Sequence, residues 1–311
     1  MNAFVLAPDV AARVLRDEPM SRHTSWHVGG PADLFFKPLD ADDLAQFLRS
    51  LTPETPILWI GLGSNLLVRD GGLRGAVIDT HGGLGGLERI GENEVWCGAG
   101  VACARLARQC IEWELGPAEF FAGIPGTLGG ALAMNAGAFG GETWAHVISV
   151  ATLDRQGMRR ERSAGDYSVG YRHVSGPANE GFLGARLRFG RREQANQEDI
   201  RSLLARRKAS QPIGTWSCGS VFTNPPGDHA ARLIETAGLK GIALGGAQVS
   251  PMHANFIVND GTASAADIER LIEHVMHVVE QRHGVKLKTE VRIVGEAARS
   301  AGPHAGQEGC V

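Results

Sequence analysis

Hydrophobic and polar positions alternate in short runs along the first 190 residues. Apolar runs that end at glycine, proline or acidic residues predict β-strands. Two longer segments, 40–51 and 101–115, carry apolar residues at helical spacing; Asp40 caps the first, and Gly116-Pro117 closes the second. The predicted strands are ADLFFKP (32–38), PILWIG (56–61), GAVIDT (75–80), EVWCGAG (94–100), VISVATLD (147–154) and GFLGARLRF (181–189).

The pattern after residue 190 is more helical. The charged segment RREQANQEDIRSLLARRKASQP predicts a linking helix. Asp228 and Gly238 bracket a short helix, and Ser264 with Asp267 forms a capping-box pattern before a long amphipathic helix. Two more strands are predicted at 254–260 and 288–295. Strands and helices mixed without regular βαβ alternation indicate an α+β fold.

Composition excludes several classes of function. The chain has 311 residues, of which 43% are hydrophobic, so it can bury a large core. Its formal net charge of −3 gives no basic field for nucleic acid. The N-terminus lacks the pattern of a secretory signal, and no apolar run approaches the roughly 20 residues that cross a bilayer. We therefore expect no nucleic-acid partner and no membrane association, and we see no sign of an obligate protein partner.

The cysteines do not form a pattern. Cys97, Cys103, Cys110, Cys218 and Cys310 are odd in number and never spaced CxxC. We expect reduced thiols that pack in the interior of a cytoplasmic protein, with no disulfide framework and no metal site.

Two glycine-rich segments are the strongest candidates for a ligand site. GLGSNLLVRDGG (61–72) follows a predicted strand, and GIPGTLGGALAMNAGAFG (123–140) has six glycines in eighteen residues. Neither matches the Rossmann or Walker pattern. The simplest interpretation is a set of tight turns. The alternative is a shared diphosphate site, because bare backbone lets several N–H groups converge on one anion.

These two segments also carry a resemblance. Together with HTSWHVGGPAD (23–33), they resemble the FAD-binding half of the UDP-N-acetylenolpyruvoylglucosamine reductases. The C-terminal half is similar to the same family through YSVGYRHVS (167–175), GSVFTNPPGDHAARLIETAGLKG (219–241), GGAQVSPMHANFIVND (245–260) and KTEVRIVGE (288–296). The resemblance covers the chain from about residue 20 to 296.

The resemblance implies a fold and a reaction. The fold is of the vanillyl-alcohol-oxidase (PCMH) type, with two FAD-binding subdomains and a C-terminal α+β substrate domain. The reaction is the NADPH-dependent reduction of UDP-N-acetylglucosamine enolpyruvate to UDP-N-acetylmuramate for peptidoglycan, with non-covalent FAD. The corresponding predicted parts are a lead-in (1–21), an FAD-binding domain (22–190, in subdomains of about 22–80 and 81–190), a linking helix (191–210), a substrate domain (211–296) and a disordered tail (297–311).

Three catalytic residues follow from motif positions. Ser220 resembles the family's proton donor, Arg172 its catalytic arginine, and Glu290 its catalytic glutamate. A planar guanidinium suits a carboxylate whose charge grows during the reaction. Cys218 is a more acidic rival to Ser220 but lies off the motif position. The histidines near the motifs, His23, His27 and His253, are expected to be structural or binding residues rather than general acids.

The resemblance also implies binding residues. Those expected at the cofactor are Thr24, Gly29, Gly61, Gly63, Ser64, Asn65, Gly123, Ile124, Pro125, Gly126, Gly129, Gly130, Asn135 and Gly137. Those expected at the substrate are Asn224, Arg232, His253 and Asn255. The chain resembles the short-loop subtype, which lacks the inserted loop and its tyrosine. Thr223 also stands where the long-loop pattern has a lysine, and Arg232 is the predicted substitute at the UDP diphosphate.

Two other functions remain open from the sequence. One is a different flavoenzyme of the same fold, an oxidase of a sugar or alcohol, which needs no Ser220–Glu290 pair. The other is a non-catalytic protein that binds nucleotide sugars and uses its glycines only for turns.

Overall fold

A computed structural model describes residues 8–193 and 196–298. Its first sheet has the strand order Leu15–Pro19, Pro31–Phe36, Leu73–Asp79, Ile57–Ile60; the last three were predicted, whereas Leu15–Pro19 lies in the predicted lead-in. The first pair is antiparallel and the other two are parallel. The helix Ala41–Ser50 packs its apolar face on this sheet, and the Asp40 carboxylate caps it by accepting from Asp42 and Asp43 N–H, both at 2.9 Å.

The second sheet is fully antiparallel. Its strands lie in the order Arg159–Ser163, Val147–Asp154, Glu180–Arg188, Glu94–Gly98, Leu87–Arg89. The helix Cys103–Glu112 buries Leu106 and Ile111 in the same core. Cys97, Cys103 and Cys110 are buried there too, as the packing prediction required, whereas Cys310 lies outside the described residues.

A third core lies in the C-terminal part. It is built on the antiparallel strands Ala243–Leu244, Ala247–Val249 and Ile257–Asn259, with the helices Ala230–Thr236 and Ala265–His283 packed on them. The predicted capping box begins the longer helix: Ser264 Oγ accepts from Asp267 N–H at 3.1 Å, and Asp267 accepts from Ser264 N–H at 3.0 Å.

The C-terminal part is bonded directly to the first sheet's loops. The strand Arg292–Val294 pairs in parallel with Leu66–Val68, which lies within the first glycine-rich segment. Asp70 accepts from the N–H groups of Ala265 and Ala266 at 3.0 and 2.9 Å, so a residue of the N-terminal part caps a C-terminal helix. These bonds fix the position of the first glycine-rich segment relative to the chain around Glu290.

The remaining elements are short. The second glycine-rich segment contains a helix, Leu128–Met134, which the sequence did not predict. A helix, Gln197–Ser210, links the second sheet to the C-terminal part. The other short elements are the helix Pro8–Ala11, the strand pairs Gly137–Ala138 with Gly141–Glu142, Ser168–Gly170 with His173–Ser175, and Leu115–Gly116 with Gly190–Arg191, and 3₁₀ turns at Met20–Arg22, Glu119–Gly123, Thr143–His146 and Ala164–Asp166.

Several predicted boundaries were wrong. The linking helix begins at Gln197 rather than 191, because Gly190–Arg191 pairs as a strand and Asn196 caps the helix. Asp228 does not cap the next helix; His229 occupies that position, and Asp228 pairs with Arg232. The final strand covers Arg292–Val294 only. The domain boundaries stay predictions, and of the predicted tail 299–311 lies outside the described residues. No described helix is both long and apolar enough to span a membrane.

Candidate active site

One cavity of about 310 Å³ brings together residues that are far apart in the sequence. It contains Arg172, Ser220 and Glu290, the three predicted catalytic residues. Residues predicted at the cofactor and the substrate also line it, namely Ser64, Asn65, Gly123, Ile124, Pro125, Gly137, Asn224 and Asn255. The structure therefore places these motifs around one cavity, and the roles assigned to them stay predictions.

Arg172 lies at the tip of the hairpin Ser168–Ser175 and reaches Glu290. Its φ of +53° is the left-handed conformation, which costs a non-glycine residue roughly 1–2 kcal/mol. The guanidinium offsets this by donating from Nε to Glu290 Oε1 at 3.0 Å and from Nη2 to the Gly137 carbonyl at 2.9 Å. It also packs 5.1 Å from the Tyr171 ring centre. The strained turn directs a cation into the cavity next to a carboxylate.

Glu290 is held by its backbone between two segments of the site. Its N–H donates to the Val221 carbonyl at 2.8 Å, and its carbonyl accepts from the Asn65 amide at 3.0 Å. Burial raises the pKa of the Glu290 carboxyl, and the Arg172 charge opposes that rise. A carboxyl in this environment can hold or release a proton closer to neutral pH than an exposed one.

Ser220 presents an unpaired hydroxyl. Among the described residues its Oγ has no hydrogen-bond partner, and it lines the cavity. The rival Cys218 differs: burial raises the pKa of its thiol to about 12, and the thiol points to the Gly63 and Leu66 carbonyls at 3.6 and 3.5 Å. Cys218 is therefore a poor proton source at neutral pH.

A second, narrower cavity of about 140 Å³ lies between the two glycine-rich segments. The N–H groups of Gly63, Ser64 and Asn65 point to no acceptor in the described chain, and Gly63 has a left-handed φ of +60°. Successive free N–H groups around a left-handed residue form a nest that attracts anions. On the opposite wall, a Cβ on Gly126 or Gly130 would make only ordinary contacts, with Ser64 Oγ at 3.5 Å and Thr127 Oγ1 at 3.9 Å. These features fit a diphosphate.

Other glycines of the same segments are required for packing. A Cβ on Gly123 would lie 2.5 Å from the Phe139 ring, and one on Gly137 would lie 2.3 Å from the Gly141 carbonyl oxygen. On Gly129 it would approach Ala99 Cβ at 3.0 Å, and on Gly61 it would meet Thr127 Oγ1 at 2.2 Å. At these four positions the packing of the protein itself requires glycine.

Several predicted cofactor residues support the site from behind. Thr24 is buried and donates to the Val28 carbonyl at 2.8 Å, and Gly29 lies against Val68. Asn135 is buried, and its amide bonds Glu142 at 3.0 Å and the Gly170 carbonyl at 3.1 Å. The side chains of Thr24 and Asn135 are occupied by protein groups, so any contact of these residues with a ligand would come from the backbone.

Of the four predicted substrate residues, two line the cavity and two do not. Asn224 lines the cavity and accepts from Ala230 N–H at 3.1 Å. Asn255 lines it too. Its side-chain oxygen accepts from Phe222 N–H, and its side-chain NH₂ donates to the Phe222 carbonyl. His253 is half-buried beside Phe256 and is not among the lining residues. Arg232 is also absent from the lining: its side chain is 54% exposed and paired with Asp228.

The sequence missed further lining residues, chiefly Tyr171, Met134, Phe139, Gln211 and Arg207. A signal for Arg207 was present. Ile200, Leu203 and Arg207 recur at helical spacing, which puts this arginine on the buried face of an otherwise exposed helix.

Comparison with known proteins agrees with this geometry. Residues 211–294 match the family model described as "UDP-N-acetylenolpyruvoylglucosamine reductase, C-terminal domain", and residues 32–162 match the one described as "FAD binding domain". These matches include Ser220 and Glu290 in the first, and both glycine-rich segments in the second.

Whole-chain relatives agree. The UDP-N-acetylenolpyruvoylglucosamine reductase of Alkalilimnicola ehrlichii is 61% identical over 281 residues, covering 90% of this chain and 94% of that protein. That of Methylococcus capsulatus is 57% identical over 284 residues, covering 91% and 93%. The crystal structure of the Thermus caldophilus reductase superposes with a TM-score of 0.78 at 32% identity, covering 90% of this chain and 98% of that one. The predicted α+β fold of the vanillyl-alcohol-oxidase type is confirmed. The chain belongs to the UDP-N-acetylenolpyruvoylglucosamine reductase family of peptidoglycan synthesis and is an FAD-dependent oxidoreductase.

Proposed function

We propose that the protein reduces UDP-N-acetylglucosamine enolpyruvate to UDP-N-acetylmuramate at the expense of NADPH. The observation that carries the proposal is the cavity in which Ser220, Arg172 and Glu290 meet the glycine-rich segments. When bound, FAD supplies the hydride-transfer chemistry that connects NADPH with the enolpyruvyl group. The chain's own residues supply placement, charge and a proton.

The cofactor is proposed to bind non-covalently through main-chain groups. The free N–H groups of Gly63, Ser64 and Asn65 would hold the diphosphate, and the bare backbone at Gly126 and Gly130 would let it approach. The neighbouring lining at Gly123, Ile124 and Pro125 would contact the flavin end. Thr24 and Gly29 would act through the loop they support.

Arg172 is proposed to bind the carboxylate of the enolpyruvyl group. A hydride added to the β-carbon moves negative charge toward that carboxylate, and a fixed guanidinium stabilises the charge as it grows. Glu290 orients Arg172 through the 3.0 Å bond from Nε. Its raised pKa also suits it to assist proton delivery.

Ser220 is proposed to donate the proton that completes the reaction at the α-carbon. Its hydroxyl is unpaired, so it is free to contact substrate. Val221 accepts from Glu290 N–H at 2.8 Å, so the segments that carry Ser220 and Glu290 run side by side. Phe222 follows Val221 in the chain. Asn255 hydrogen-bonds both backbone groups of Phe222 and so keeps this segment in place.

NADPH and the sugar nucleotide are proposed to use the cavity in turn, which gives ping-pong kinetics. The described cavity that holds the three proposed catalytic residues would serve both reactants, which supports binding in turn. Cytoplasmic location, and function without an obligate protein partner, remain predictions.

Two half-reactions of the purified holoenzyme test the proposal. NADPH should bleach the flavin absorption under anaerobic conditions, and the enolpyruvyl sugar nucleotide should then restore it. Ser220→Ala should leave the first half-reaction unchanged and slow the second by ~10²- to 10⁴-fold. Ser217→Ala, three residues away and outside the cavity lining, is the matched control.

The alternatives give different results. A flavin that is reduced by a sugar or alcohol and reoxidised by oxygen would indicate an oxidase of the same fold. A colourless protein that takes up no FAD would indicate a non-catalytic binding protein. Equal slowing of both half-reactions in Ser220→Ala would rule out Ser220 as the proton donor.

A further inference from the structure

Among the described residues, Arg207 is a partly buried cation with no carboxylate beside it. It lies in the last turn of the helix Gln197–Ser210 and lines the cavity that contains Ser220. Its Nε donates to Gln211 Oε1 at 2.7 Å, and its Nη1 donates to the Gly123 carbonyl at 2.7 Å. Both acceptors are neutral. Burial alone lowers the pKa of Arg207, with no nearby negative charge to oppose the effect.

Several other partly buried arginines pair with carboxylates, namely Arg69 with Glu269, Arg162 with Glu180 and Arg172 with Glu290. Arg155 is also partly buried and donates to the backbone carbonyls of Pro53 and Thr55, but unlike Arg207 it does not line the cavity that contains Ser220. Removing a guanidinium from water without a counter-charge is unfavourable. A fold that keeps such a group at the wall of a cavity is complementary to an anion that enters the cavity.

The charges on the proposed substrate identify that anion. The sugar nucleotide carries a carboxylate and a diphosphate, and the cavity lining contains two cations, Arg172 and Arg207. Arg172 already pairs with Glu290 at the position proposed for the carboxylate. Thr223 has no charge, and its hydroxyl bonds the Lys288 carbonyl at 3.3 Å.

Arg232, the candidate suggested by the sequence, does not meet the requirement. It is paired with Asp228 on the exposed face of its helix. Arg207 is therefore the cation of the lining that is left for the diphosphate. We propose that Arg207 binds the diphosphate of the UDP-sugar, in place of the lysine that Thr223 replaces; this inference rests on the proposed function.

The oxidised flavin ring is not an equally good partner for Arg207. The ring carries no charge in the resting enzyme, so it would leave the buried guanidinium uncompensated. The helix that carries Arg207 also leads directly into residues 211–294, which match the family's C-terminal domain. A diphosphate at this junction would contact both the linking helix and the C-terminal part.

Steady-state kinetics of three holoenzyme variants tests the assignment. Arg207→Gln should raise the KM for the enolpyruvyl sugar nucleotide by ~10- to 100-fold, since a hydrogen-bonded charge contact is lost, with kcat at saturation nearly unchanged. Arg207→Lys keeps the charge but not the planar fork, so its KM should lie between those of Arg207→Gln and the wild type. Arg206→Gln, the neighbouring exposed position outside this cavity lining, should match the wild type.

Each contrary outcome overturns the inference. An unchanged KM in Arg207→Gln excludes a contact with the diphosphate. A lowered flavin reduction potential with unchanged KM assigns Arg207 to the reduced flavin instead. Parallel loss of FAD in Arg207→Gln and Arg207→Lys makes the residue a structural support of Gly123. A wild-type enzyme that fails to turn over the enolpyruvyl nucleotide rejects the proposed function itself, which separates the two failures.

Discussion

Alanine at Gly130 should stabilise the apoprotein and weaken FAD binding at the same time. Gly130 lies in the first turn of the helix Leu128–Met134, with its φ outside the left-handed region. A Cβ there would have Thr127 Oγ1, at 3.9 Å, as its nearest neighbour, so the protein accommodates it. The same Cβ would project into the cavity assigned to the diphosphate. Folding and cofactor binding therefore respond to it with opposite signs.

The two magnitudes follow from separate effects. Alanine restricts the unfolded chain and favours the helix, which stabilises the apoprotein by about 0.5–1 kcal/mol. The methyl group holds a phosphate away from at least one N–H donor of the nest. A hydrogen bond to a charged group contributes about 1.5–3 kcal/mol, so the dissociation constant of FAD should rise roughly 10- to 100-fold.

The assays are urea unfolding of the apoprotein and fluorescence titration with FAD. Gly129→Ala, one residue away, is the matched control with the opposite expectation. Its Cβ would press on Ala99 at 3.0 Å, so it should destabilise the apoprotein by about 1–3 kcal/mol. If Gly130→Ala stabilised the apoprotein but left FAD affinity within about twofold of the wild type, the diphosphate would lie elsewhere.

Three further predictions concern charge, a thiol and a helix cap. Burial raises the pKa of Glu290 above its ordinary 4.5, so ionisation of this carboxyl destabilises the fold as the pH rises through the raised value. Glu290→Gln should therefore melt at the wild-type temperature or above it at pH 7. Near pH 4 the two melting temperatures should not differ. A lower melting temperature at pH 7 would contradict this sign. Cys218→Ala should reoxidise its flavin within about threefold of the wild-type rate, unlike Ser220→Ala, because a thiol with a pKa of about 12 donates no proton at neutral pH; a ~100-fold slowing would restore Cys218 as a candidate. Asp70→Ala should lose about 1–2 kcal/mol in urea unfolding, because two N–H groups at the start of the helix Ala265–His283 lose their acceptor, and an unchanged midpoint would show that water replaces the cap.

Local patterns carried much of the fold. The strand Val147–Asp154 matches the predicted span, and the capping box at Ser264 begins its helix as expected. Such features depend on the period of apolar residues and on bonds within four positions, which a sequence displays directly. The sequence-based predictions were less successful where a segment pairs with a distant one. Arg191, predicted to begin the linking helix, pairs with Leu115 in a short strand instead.

The sequence by itself predicted which motifs form the site, including Ser220, Arg172 and Glu290, and these residues line one cavity. Only the tertiary structure decided what each group faces. A Cβ on Gly130 would make only an ordinary contact, whereas one on Gly129 would crowd Ala99. Arg232 pairs with Asp228 one turn away, whereas Arg207 has no carboxylate partner among the described residues. Residues of one type differ in this way because steric room and counter-charge depend largely on which other segments pack nearby, and no local period in the sequence encodes that packing.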